Sequence, residues 1–112
     1  MTLNIAHLLA RSARIHSGRP ALACGERLLA NYAELAARVA RLAGGLAARL
    51  RPNDRVALVM KNCPQYVELM FACWHAGLIA VPINAKLHPK ELEFILGDSG
   101  ARWCFATADR YP

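Results

Sequence analysis

A chain of 112 residues with 55% apolar content has material for one buried core, and its 7% aromatics favour packed helices or a helix-covered sheet over a β-sandwich. The formal charge of +6 raises nucleic acid as a partner, but nine Lys/Arg against three acids over residues 1–55, then five of each, place the whole excess in the first half. Those arginines, from Arg11 to Arg55, lack the interleaved aromatics of a single-strand platform, so solvated faces of amphipathic helices are expected.

Asn4 is expected to cap a first helix carrying Ile5, Leu8, Leu9, Ser12 and Ile15 on one face and ending near Gly18 and Pro20. ALAC, a turn at Gly25-Glu26 and RLLA read as a hairpin. Asn31 stands three residues before Glu34, an asparagine version of the capping box. Behind it Leu35, Val39, Leu42, Leu46 and Leu50 form an apolar stripe, with Arg38, Arg41 and Arg49 on its solvent side. Gly44-Gly45, inside that helix, reads as a point of close helix packing.

Pro52, Asn53 and Asp54 make a turn, and VALVM (Val56–Met60) is a continuous apolar strand of the kind buried on both faces of a parallel sheet. Pro64 suits the first position of a helix that is apolar nearly all round, with Gln65, Glu68, Ala72 and His75 as its weakly polar edge. Gly77 stops that helix in a left-handed conformation, and LIAV (Leu78–Val81) is the short strand it feeds, ended by Pro82. Pro89 opens another helix containing Leu92, Phe94, Ile95 and Leu96, closed by Gly97 to Gly100; RWCFA (Arg102–Ala106) is the third strand.

The expected fold class is therefore α/β: a hairpin with amphipathic helices over residues 1–53, then a βαβαβ unit with a parallel sheet over 54–106. Open parallel sheets place ligands beyond the carboxyl ends of their strands. This chain stops six residues after the third strand, so the N-terminal portion of a larger domain is expected.

Cys24, Cys63, Cys73 and Cys104 form no CxxC pair, and Cys73 and His75, two apart on a helix, point to different faces; no metal site is expected. The most apolar window, Leu69 to Ile83, spans 15 residues and holds His75 and Pro82, short of the roughly 20 that cross a bilayer. With no continuous apolar h-region at the N-terminus, a reducing cytoplasm is the expected compartment. Neither GxGxxG nor GxxxxGK[ST] is present. Ser12, Ser17 and Ser99 stand in no nucleophile elbow, and Asp98-Ser99-Gly100 beside His88 reads as a helix-ending turn. No catalytic or cofactor-binding residue is expected in the segment.

LLANYAEL (Leu28–Leu35), DRVALVMKN (Asp54–Asn62), WHAGLIAVPIN (Trp74–Asn84) and ELEFILGDSGAR (Glu91–Arg102), in that order, resemble the N-terminal part of the adenylate-forming superfamily. Asn31 stands where that family usually has threonine or serine, and RPN replaces a longer turn ending in glycine, with Asn53 left to supply the left-handed residue. Asn84, where peptide-synthetase domains usually carry aspartate, makes the chain more similar to fatty-acid or aryl-acid CoA ligases. The resemblance implies an acyl-CoA synthetase that forms an acyl-adenylate from ATP with Mg²⁺ and then transfers the acyl group to CoA. Its phosphate loop, magnesium ligand, ribose aspartate and C-terminal lysine are absent from residues 1–112. The resemblance further implies a structural role for the segment, with the rest of the enzyme as its partner and Tyr66, Met70 and Trp74 as candidate walls of the acyl pocket. The alternatives are a small basic α/β nucleic-acid-binding module and an interrupted gene product.

Overall fold

The computed structural model describes residues 4–107. In chain order its elements are α1 (Ala6–Ile15), β1 (Pro20–Cys24), β2 (Arg27–Asn31), α2 (Tyr32–Ala47), β3 (Arg55–Val59), α3 (Pro64–His75), β4 (Ile79–Ile83), α4 (Pro89–Ser99) and β5 (Trp103–Ala106). β1 and β2 form an antiparallel hairpin, with Gly25 at φ +61 in its turn. Among the described residues, β3, β4 and β5 make a parallel sheet of order β4-β3-β5.

β3 organises the core because both of its faces are covered. Val56, Leu58 and Met60 face a cluster with Leu35, Val39, Leu46, Ala72 and Cys73, whereas Ala57 and Val59 face Ile83 and Leu92. The period-2 alternation of a strand thus sends one residue set to α2 and α3 and the other to α4. α3 and α4 lie on opposite faces while β4 and β5 flank β3 on opposite sides, as two right-handed crossovers require.

Pro82 does not end its strand. β4 continues to Ile83, with Pro82 paired to Leu58. The Ile79 N–H donates to the Asp54 carbonyl (2.9 Å), which sets the phase of the ladder. Alternate residues 79, 81 and 83 then donate toward β3, and the donor that proline lacks belongs to the outward set.

The capping box closes as expected: Glu34 N–H donates to Asn31 Oδ1 (2.8 Å) and Asn31 N–H to Glu34 Oε1 (3.0 Å). On α2 the stripe is Leu35, Val39, Ala43 and Leu46, with Leu50 just past the helix; Leu42 is 37% exposed. Gly44 and Gly45 are not packing contacts. A Cβ built on either meets open space, because both lie off the stripe on the solvent side. Arg38 Nη1 meets Glu68 Oε1 at 3.2 Å, tying α2 to α3.

α1 is rotated from the expected face. Ala6 and Leu9 are its buried residues, while Ile5, Leu8 and Ile15 are exposed. Small Ala6 lets the helix approach α2 and α3, and the larger side chains turn outward. The helix also ends at Ile15, ahead of Gly18. On α3, Ala72 is buried and not part of a polar edge; Gln65 and His75 are exposed. Phe94 of α4 is 71% exposed, away from Leu92 and the sheet.

Asn4 serves two helices at once. Its Oδ1 accepts from the Ala6 N–H (2.9 Å) at the start of α1, and its Nδ2 donates to the Trp74 carbonyl (2.6 Å) in the last turn of α3. Both partners are groups that helix ends leave unsatisfied. Asn4→Ala is expected to cost about 1–2 kcal/mol in urea denaturation. Asn4→Asp, which keeps the acceptor but sets a carboxylate against a helix C-terminus, should recover little of that loss. Full recovery by aspartate would rule out the contact with α3.

Cys73 is fully buried against Val56 and Leu58, and burial pushes its thiol up from the usual 9.0 to about 11. Below about pH 9 the thiol is neutral in folded and unfolded chains alike. Between 9 and 11 the unfolded chain gives up a proton that the folded chain retains, so stability falls as pH rises through that window. Whatever Cys73→Ala costs at neutral pH, its difference from wild type should narrow between pH 9 and 11 in denaturant titrations. A constant difference would contradict the buried thiol.

Candidate active-site edge of the sheet

β3 and β4 end side by side, Val59 paired with Ile83, and the chain leaves each strand through short polar stretches, Lys61-Asn62 and Asn84-Ala85-Lys86. Between them lies a cleft of about 390 Å³ bounded by Met60, Lys61 and Asn62, by Tyr66 on the first turns of α3, and by residues 82–86. This is the carboxyl end of a parallel sheet, beside the central strand where the two crossovers diverge, which is where such sheets place ligands. Asn84 Oδ1 accepts from the Lys86 N–H (2.9 Å), fixing the carboxamide at the rim.

Of the residues expected to wall a pocket, Tyr66 lines this cleft. Met70, one turn on, packs against the core between the sheet and α2, and Trp74 meets Phe71 edge-on at 5.1 Å. The three share one side of α3 at helical spacing but do not converge on the cleft. Met60, Lys61, Asn62, Asn84 and Lys86 were not singled out as site residues by the sequence alone. Their signal is positional: Met60 ends an apolar run that becomes a strand, and the others follow such a run.

The sequence-level alternatives at α4 separate cleanly. His88 caps the start of α4, its Nδ1 accepting from the Lys90 N–H (3.1 Å). Ser99 lies in the last turn, where its hydroxyl donates to the Leu96 carbonyl (3.3 Å), and Gly100 ends the helix at φ +69. Eleven residues of helix hold His88 and Ser99 about 16 Å apart, too far for nucleophile and base. Arg55 Nη1 donates to the Ser99 carbonyl (2.7 Å), a structural contact at a helix C-terminus.

Among the described residues no group of three His, Cys, Asp or Glu is placed to hold a metal, and no helix is long and apolar enough to cross a membrane. Glu68 is engaged with Arg38, and Asp54 Oδ2 with the Arg51 N–H. These residues do not fit a Mg·ATP site.

The sequence pattern of the AMP-binding enzyme family matches residues 9–111. A feruloyl-CoA synthase from Amycolatopsis sp is 56% identical over 71 residues, covering 62% of this chain and 14% of that protein. The long-chain-fatty-acid–CoA ligase FadD13 of Mycobacterium tuberculosis is 40% identical over 72 residues, covering 63% of this chain and 14% of that protein. In three dimensions, the N-terminal domain of FACL13 from Mycobacterium tuberculosis superposes with a TM-score of 0.89 at 31% identity, covering 99% of this chain and 29% of that one. The chain therefore spans about a seventh of the length of these two curated relatives, and the match leaves the nucleic-acid alternative without support. In sequence and in fold it resembles the N-terminal part of adenylate-forming acyl-CoA synthetases, and it belongs to the family of AMP-binding enzymes.

Proposed function

We propose that residues 1–112 form an incomplete N-terminal segment of the large domain of an ATP-dependent acyl-CoA synthetase working in the cytoplasm. In that reaction a carboxylate attacks the α-phosphate of ATP, releasing pyrophosphate and forming an acyl-adenylate; the thiolate of CoA then displaces AMP. The observation that carries the reading is the family match across residues 9–111. The 56% identity to a feruloyl-CoA synthase makes an aromatic acid the first substrate to test, with fatty acids second.

Within such an enzyme these residues are scaffold. β3 anchors the sheet from both faces, and Tyr66, Met70 and Trp74 of α3 are the residues proposed as walls of the acyl pocket in the complete enzyme. ATP, Mg²⁺ and CoA would be held by the remainder of the enzyme, the segment's proposed partner; among the described residues no group of three His, Cys, Asp or Glu is placed to hold the metal.

The coding frame beyond the Pro112 codon tests the reading. A Ser/Thr/Gly-rich loop followed by Thr-Gly-x-Pro-Lys is expected in frame. A stop codon with no such loop would contradict it.

A further inference from the structure

We propose that α1 docks the protein on an anionic lipid surface. The helix buries Ala6 and Leu9 and sends its larger side chains outward: Ile5, Leu8 and Ile15 are 53%, 63% and 58% exposed. Single exposed apolar residues are ordinary on a protein surface, but these three lie along one short helix. Leu8 and Ile15, seven residues apart, fall on one line, and Ile5 precedes Leu8 by about a turn. Exposed Arg11 flanks that ridge, three positions from Leu8 and four from Ile15, and exposed Arg14 stands one turn beyond Arg11. On the other flank the ridge borders an apolar groove of about 250 Å³, where Leu8 and Ser12 meet Ala21, Tyr32, Val67 and Phe71.

Charge selects the partner. The first acid of the chain is Glu26, whereas residues 6–19 carry Arg11, Arg14 and Arg19 together with His7 and His16. The acids of the two helices against which α1 packs are engaged elsewhere: Glu34 of α2 in its capping box, and Glu68 of α3 with Arg38. A second copy of the chain docked through this face would set like charge against like. An anionic bilayer matches both parts of the surface. The convex ridge enters the acyl boundary, which deforms around it, and the long arginine side chains beside it reach the headgroup phosphates. The inference rests on α1 and its surroundings: it stands or fails independently of the ligase reading.

The test is co-sedimentation of the purified 112-residue chain with vesicles of phosphatidylcholine alone, and of phosphatidylcholine and phosphatidylglycerol in equal parts. Binding is expected on the anionic vesicles, weakened by salt, with little on the neutral ones. Arg11→Gln should weaken it about fivefold and Ile15→Ser about tenfold. Lys90→Gln and Phe94→Ser remove the same kinds of group from exposed positions of α4, on the other face of the sheet, and should leave it unchanged. Thermal melts report that the four variants fold. Equal binding to the two kinds of vesicle, or α4 variants that lose as much as the α1 variants, would overturn the assignment. So would absence of binding to either, which would turn this face over to an acidic protein partner.

Discussion

Leu58→Ala is expected to lower the stability of the chain by about 3 kcal/mol, read as a fall in the urea midpoint at unchanged slope. Leu58 is fully buried, sits on the central strand, and faces the cluster shared by α2 and α3. Its loss removes several methylene groups from a site whose walls are held by a strand on each side and helices above. Such a site collapses poorly, so the cavity cost adds to the transfer cost. Val59→Ala removes less volume from the opposite face, against Ile83 and Leu92, and should cost about 1–2 kcal/mol. A loss below about 1 kcal/mol at Leu58 would mean that β3 is not the centre of the core.

Replacing glycine by alanine is expected to have opposite signs at Gly77 and Gly45. Gly77 sits at φ +76 just past α3. Its N–H donates to the Trp74 carbonyl (3.1 Å) and the following Leu78 N–H to the Cys73 carbonyl (2.8 Å), the paired bonds of a Schellman motif, with Leu78 and Cys73 both buried. A Cβ there meets nothing within 4 Å, so the penalty of Gly77→Ala is conformational: about 1–2 kcal/mol. Gly45 lies inside α2 with open space around it and no positive φ. Gly45→Ala should therefore stabilise by about 0.5–1 kcal/mol. Thermal melts of the two variants against wild type decide it, and shifts of the same sign would remove the distinction.

Local chemistry was the legible part of the fold. The Asn31–Glu34 capping box, the left-handed Asn53 at φ 69 and the Gly77 stop each depend on residues within four positions of one another. Double burial of β3 was equally readable, because five apolar residues in a row leave a strand no solvent face. What failed depended on distant partners. Whether Pro82 interrupts its strand turns on which carbonyl Ile79 reaches, and that is Asp54, 25 positions earlier. The face of α1 was misread because periodicity weights large side chains, whereas the contact with α2 and α3 is made through Ala6 and Leu9. Gly44 and Gly45 read as a packing point from their place inside the helix pattern, and only the placement of the stripe shows that they face water.

The cleft was illegible for a similar reason. Lys61-Asn62 and Asn84-Lys86 are separated by a helix and a strand, and each alone reads as an ordinary loop. The parallel pairing of β3 with β4 brings the two together, and Tyr66 joins them because α3 starts at that same edge. The family signature in this chain is thus a record of strand ends and helix stops. It marks the fold, while the adenylation chemistry is assigned to residues that the segment does not contain.

That division is tested most directly by ATP–pyrophosphate exchange with the purified 112-residue chain, offered ferulate and a series of fatty acids with Mg²⁺ and ATP. The expected result is exchange indistinguishable from a matched blank with every acid, from a chain that melts cooperatively. Acid-dependent exchange above the blank would place a nucleotide site and reacting groups within these residues, and would contradict the scaffold role.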